Sequence, residues 1–192
     1  MKRGYHFFLL CITLWSWPQL THAQRLLLTN EIDTIVYNCR TCLAESVIWH
    51  CDTSQFGNAD RHKIGTFKED VRVPEPRAHH QDYTRSGYDR GHLAPAADFS
   101  RSLELMRSTF LLSNVAPMTP RLNRGPWKRT EDETRRLARK YGRVRVRVYS
   151  FIESSDTARL RRSSVAIPTS FAKIVSELGS DSILAEWYLP NK

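Results

Sequence analysis

Arg143-Val144-Arg145-Val146-Arg147-Val148-Tyr149 alternates strictly between a long cation and a branched apolar residue. Successive side chains of a β-strand point to opposite faces, so this run puts three valines on a core face and three arginines on the other. The arginine face is either a solvated sheet surface or a place where phosphates touch. A strand needs partners, and the chain supplies them. Ile32–Tyr37 and Ser46–Cys51, rich in Ile, Val, Tyr and Trp, are predicted to pair as a hairpin around Cys39–Glu45. Val165–Ile167 and Leu184–Leu189 read as further strands, and Thr109–Leu112 as a buried strand entering a turn at Ser113–Pro117. Helices are expected at Ser102–Arg107, at Trp127–Tyr141 with Gly142 as its cap, and at Phe171–Leu178 with one apolar face. Strands dominate, which gives an α+β class: a largely antiparallel sheet with inserted helices.

The 192 residues suffice for one ordinary domain with its own core. Met1-Lys2-Arg3, the apolar run Phe7–Trp15 and then Thr21-His22-Ala23 have the order of a signal peptide, with cleavage expected after Ala23 and a domain over residues 24–192. The apolar run is shorter than the ~20 residues that span a bilayer. The expected location is therefore secreted or periplasmic, with no membrane contact by the mature form. Such a compartment permits disulfides. Cys39, Cys42 and Cys51 leave one thiol over, and the favoured bridge is Cys39–Cys51 or Cys39–Cys42. No βαβ pattern surrounds Cys39-Arg40-Thr41-Cys42, which disfavours a thioredoxin-like redox role. The formal charge is +9. A basic surface attracts polyanions, though charge alone does not specify nucleic acid.

Chemistry is concentrated in one part of the chain: Asp89-Arg90-Gly91-His92, then Asn114, then Asn123-Arg124-Gly125-Pro126-Trp127, then Glu131 and Arg135. Phosphodiester hydrolysis requires a base for the attacking water, positive charge for the phosphorane and a proton for the leaving oxygen. A neutral imidazole suits the first need and a hydrated divalent ion the other two. Asn123, Trp127, Glu131 and Arg135 recur every four residues, so on a helix they form one drifting stripe. Asn123 would stand at the helix start, where Pro126 fits the first turn.

The strings Gly87–Pro95 and Leu112–Pro117, followed by Asn123–Trp127 and Glu131, resemble the DNA/RNA non-specific endonucleases, an endonuclease G-like family with a ββα-metal core. The likeness extends upstream to Arg61, Phe67, Asp70 and Asp82-Tyr83, and downstream to Ala166–Lys173 and Leu189–Asn191. Two departures are Met118, where the family often has Gln, and Ser150-Phe151-Ile152, where it often has a Gly-Pro turn. The resemblance implies His92 as general base and Asn123 as the direct ligand of Mg2+, with Mn2+ as a substitute. It implies Arg61 on phosphate, while the helical stripe would aim Glu131 at the cation's water and Arg135 at the scissile phosphate. Asp89 would orient its neighbours, and Arg90 would be a phosphate clamp or an internal ion-pair partner. Asn114 would bond near the metal or hold the active-site loop, and Gly91 would let the backbone turn beside the substrate. His79 and His80 are read as solvated. The implied substrates are DNA and RNA, cut to leave 5′-phosphate ends. The rival reading is a basic nucleic-acid-binding protein that does not cut.

Overall fold

The computed structural model describes residues 25–153 and 158–192, so the signal-peptide reading of Met1–Ala23 lies outside the described residues. The chain opens with an antiparallel meander, β1 (Arg25–Thr29), β2 (Asp33–Asn38) and β3 (Leu43–Asp52). The expected hairpin is there and is tight, with Asn38 paired to Leu43. Next comes β4 (Asp89–His92), then the short α1 (Leu103–Ser108), then β5 (Val115–Met118), which pairs antiparallel with β4. α2 (Pro120–Leu122), a π turn (Asn123–Trp127) and α3 (Lys128–Tyr141) follow end to end. Finally β6 (Arg143–Phe151), β7 (Ser170–Glu177) and β8 (Ile183–Pro190) complete a six-stranded sheet in the order β1-β2-β3-β6-β7-β8, antiparallel throughout.

The alternating run behaves as its pattern predicts. Val144, Val146 and Val148 are fully buried in the main core beside Val47, Trp49, Phe171 and Val175, with Leu137 and Ala138 of α3 in the same cluster. Each such valine contributes roughly 2 kcal/mol by leaving water. Gly142 ends α3 with φ of 78°, a conformation that disfavours any residue with a Cβ, and β6 starts one residue later. On the opposite face the arginines are paired with acids: Arg143 with Asp52 (3.4 Å), and Arg145 and Arg147 with Asp181.

Several elements depart from the sequence reading. Phe171–Leu178 is not a helix but most of β7, flanked by β6 and β8. Residues on both faces of this strand are buried, Phe171, Lys173 and Val175 on one and Ser170, Ala172 and Ser176 on the other, and the spacing of Phe171, Ile174 and Val175 imitates a helical stripe. Val115-Ala116-Pro117, read as a turn, belongs to β5; Pro117 is tolerated because this two-stranded ladder leaves one side of β5 unpaired. Thr109–Leu112 makes only the isolated bridge Lys68↔Leu111, and Val165–Ile167 only Arg159↔Ala166. The three described cysteines are free thiols. A Cys39–Cys51 bridge is excluded by the ladder: Cys39 follows the hairpin end, whereas Cys51 lies eight residues along β3, about 26 Å away at the usual strand rise. Cys42 instead donates its thiol to the Pro76 carbonyl (3.2 Å). No helix among the described residues is long and apolar enough to cross a membrane.

Candidate active site

The ladder β4–β5 and the helical segment after it form a ββα unit that carries every residue of the Asp89–His92 motif. Gly91 sits opposite Ala116, and a Cβ there would come within 2.4 Å of Met118 Sδ. Its φ is not in the left-handed region. The glycine is thus required by the close approach of buried Met118 and not, as expected, by a sharp backbone turn. His92 ends the strand, and Trp127 Nε1 donates to its carbonyl (3.0 Å), which ties the helical segment to the motif.

That helical segment begins earlier than the sequence suggests. Thr119 accepts from Leu122 N as the N-cap, so Asn123 and Pro126 lie inside the helix and not at its start. Proline lacks an N–H and its ring clashes with the carbonyl four residues back; the helix accommodates Pro126 by widening into the π turn. Asn123 then points at β4, where its Nδ2 donates to Asp89 Oδ2 (2.9 Å). Arg124 grips the same carboxylate in a fork (2.8 and 2.7 Å), and these donors hold Asp89 below the ordinary carboxylate range. With its amide nitrogen committed, Asn123 keeps Oδ1 free of any protein hydrogen bond among the described residues.

His92 and Asn123 line one cavity of about 540 Å³, together with Arg61, Arg90, Arg124 and Glu131. The convergence required by hydrolysis is therefore present. The His92 ring is 8% exposed, with Phe67 (4.9 Å) and Phe110 (4.8 Å) against it, and its Nε2 has no protein partner. Burial, then the nearby charge of Arg61, lowers its pKa to about 3, so the imidazole is neutral at ordinary pH. Arg61 itself lies with its guanidinium carbon 5.4 Å from the Phe110 ring centre. Glu131 is half-buried in the cavity wall; burial raises its carboxyl, against the attraction of Lys173.

The other expected site residues have different surroundings. Asn114 is fully buried and does not line the cavity: it accepts from Ala94 N and donates to the Ala94 and Thr109 carbonyls, all at 2.9 Å. It staples the loop after His92 and has no contact with the reacting region. Arg135 is turned away too, into Asp98 (3.0 Å) and Asp132 (2.6 Å), so the reading that put it on the scissile phosphate is corrected. Arg90 has no carboxylate partner among the described residues; it donates to the His80 carbonyl (2.7 Å) and lies over the Tyr83 ring. His80 is thus tied to Arg90, and His79 contacts Glu69 (2.7 Å) and Glu75 (3.2 Å), so neither is simply solvated. Sequence reasoning missed Asp98, Lys173 and the role of Phe110. The Phe110 and Lys173 positions carried a weak signal, an aromatic beside the Asn114 loop and a cation in an apolar run.

A divalent cation fits this donor set. Asn123 Oδ1 is a hard oxygen ligand facing the cavity, the Glu131 carboxylate lies in the same wall where it can accept from a cation's waters, and the described residues hold no group of three or more His, Cys, Asp or Glu that would encircle a metal. A cation held by so few protein atoms keeps most of its waters, as Mg2+ prefers.

A ββα unit presenting an imidazole and an amide oxygen across a basic cavity defines the ββα-metal class of nuclease folds. The chain belongs to the DNA/RNA non-specific endonuclease family, whose sequence profile matches residues 20–192. It is 37% identical over 121 residues to a nuclease of Nostoc sp., covering 62% of this chain and 43% of that protein. It is 35% identical over 146 residues to the mitochondrial endonuclease G of Homo sapiens, covering 70% of this chain and 49% of that protein. A nuclease of Syncephalastrum racemosum is 37% identical over 177 residues, 81% of this chain and 55% of its own. The chain thus spans about half the length of these relatives. Among solved structures, a chain of the EndoG/EndoGI complex superposes with a TM-score of 0.76 at 27% identity, covering 86% of this chain and 74% of that one.

Proposed function

We propose that the protein is an endonuclease that hydrolyses the phosphodiester backbone of DNA and RNA, with His92 as general base and one hydrated divalent cation at Asn123. The observation that carries this reading is that the neutral His92 imidazole and the uncommitted Asn123 oxygen belong to one basic cavity. Arg61 and Arg90, neither paired with an acid among the described residues, bind the phosphate, and contacts to phosphate instead of base edges account for tolerance of sequence and sugar. Entry of the phosphate anion opposes the field of Arg61 and so raises the proton affinity of His92 toward that of a working base. The His92 imidazole then takes the proton of the attacking water. The hydrated cation, Mg2+ with Mn2+ as a substitute, supplies charge for the phosphorane and a proton for the departing 3′ oxygen. Asp89 keeps the Asn123 amide oriented, and Glu131 accepts hydrogen bonds from the surrounding water. The resemblance further implies 5′-phosphate ends.

Export with removal of Met1–Ala23 is supported by the leader pattern alone; N-terminal sequencing of the protein from its native host tests it. The activity is tested by incubating the protein and a His92→Ala variant with plasmid DNA and with RNA, in Mg2+ and in EDTA. The expected result is cutting by the parent in Mg2+ alone, and loss of cutting but not of binding in the variant. Equal cutting by both defeats the mechanism, and binding without cutting by the parent establishes the non-cutting alternative.

A further inference from the structure

The ladder β4–β5 has two strands, so one edge of β5 has no strand beside it. A single side chain from far along the sequence takes that place. Just after β8, Asn191 N donates to the Thr169 carbonyl (2.9 Å), one rung beyond Ser170↔Pro190, where the β7–β8 ladder ends. Its side-chain amide makes three further hydrogen bonds. Oδ1 accepts from Thr119 N (2.8 Å), and Nδ2 donates to the carbonyls of Pro117 (3.0 Å) and Pro168 (2.8 Å). Only this orientation of the amide works, because the carbonyls can only accept and the backbone N–H can only donate. Both carbonyls belong to buried prolines, where an acceptor left without a partner is costly.

The bonds to Pro117 and Thr119 flank Met118. They are the pair that a neighbouring strand would make there, so the amide stands in for one. Met118 is thereby held from both sides, since it lies opposite Asp89 in the ladder and its side chain fills the space above Gly91. From Thr119 the constraint passes directly to Asn123. Thr119 caps α2 by accepting from Leu122 N (3.3 Å), and its carbonyl accepts from Asn123 N (2.9 Å). Its Oγ1 also donates to the backbone oxygen of Lys192 (3.0 Å). The Asn123 backbone is thus one hydrogen bond away from the residue that Asn191 grips, while the Asn123 side chain is held by Asp89 (2.9 Å). A cation that keeps most of its waters takes its position from few protein atoms, so any tilt of α2 carries the amide oxygen with it.

We propose that Asn191 is a positioning residue of the site: its amide fastens the junction of β5 and α2 to the main sheet and so sets where Asn123 presents its oxygen to the cation. The fastening is a property of the fold, and only its effect on the cation rests on the nuclease reading.

The test compares the whole chain with its Asn191→Ala variant and with Tyr188→Phe, which deletes the Ser170–Tyr188 hydrogen bond (2.6 Å) between β7 and β8 and leaves the Asn191 amide in place. Amide hydrogen exchange in residues 120–131 is followed without divalent cation. Mn2+ binding is titrated by the paramagnetic resonance of the free ion, and plasmid cleavage is followed against Mg2+ concentration. Asn191→Ala should speed exchange in that segment by about tenfold or more, as loss of a local anchor does. It should weaken Mn2+ binding by about 10–100-fold and raise the Mg2+ concentration for half-maximal cleavage by a similar factor, with KM for DNA unchanged. Tyr188→Phe should alter none of these. Exchange like the parent's in Asn191→Ala overturns the fastening, and faster exchange with unchanged Mn2+ affinity overturns the role at the site. An equal loss of affinity in Tyr188→Phe overturns it too, by reducing the effect to general stability. Should the parent neither bind Mn2+ nor cut, the nuclease reading fails while the exchange comparison still decides the fastening. Asn191→Ser, too short to reach all three partners, replaces the alanine variant if the latter does not fold.

Discussion

Two parts of this protein are rich in arginine, and the fold treats their charge differently. On the outer face of β6, Arg143, Arg145 and Arg147 stand in a row and are answered by Asp52 and Asp181. In the cavity, Arg61 and Arg90 form no ion pair with an acid among the described residues, and each is instead held against an aromatic ring, Phe110 or Tyr83. Formal charge is the same in both places. What differs is whether the fold has already neutralised it, so an unpaired cation in a concave wall marks a phosphate site better than the density of cations does.

Mutation can break this comparison at several strengths. The largest effect is expected from His92→Ala, which should lower kcat by about 10²–10⁴-fold, as loss of a general base does, with binding of DNA measured by gel shift retained. Asp89→Ala, which releases the Asn123 amide, should cost about 10–100-fold in activity and raise the Mg2+ concentration needed for half-maximal rate. Arg61→Ala or Arg90→Ala should raise KM and reduce the slope of log affinity against log salt by about one, the signature of a lost phosphate contact. Arg145→Gln should change neither cleavage nor salt slope, and its stability should stay within about 0.5 kcal/mol of the parent, because exposed ion pairs contribute little. A large loss of activity in that last variant would erase the distinction between the two arginine rows.

The pH response sharpens the same contrast. His92 has a folded pKa near 3, below its unfolded value of 6.5, so it contributes stability that is present above pH 6.5 and lost as pH falls toward 3. Thermal melting over that window should therefore show a shallower decline in a His92→Asn variant than in the parent.

The sheet was legible where one face of a strand meets the core and the other meets water, as in Arg143–Tyr149. It was illegible in Phe171–Glu177, where residues on both faces are buried and a period of two has nothing to separate. The site was legible as a set of residue types at particular spacings, His92, Asn123 and Glu131. Their supports were not. Asn114 and Asn123 look alike in the sequence, yet one has its amide consumed by the backbone of Ala94 and Thr109 and the other keeps an oxygen facing the cavity. Arg135 falls on the right stripe, and buried Asp98, distant in sequence, turns it away. Partners that come from far along the chain leave no local pattern.

The widened turn at Pro126 also makes the stretch from Asn123 to Glu131 a ruler of fixed length. Each residue added to or removed from a helix swings everything beyond it by about 100°. A single deletion at Gly125 would therefore be expected to leave both oxygen donors chemically intact but aim them in unrelated directions, so this short stretch should tolerate exchange of side chains far better than any change in the number of its residues.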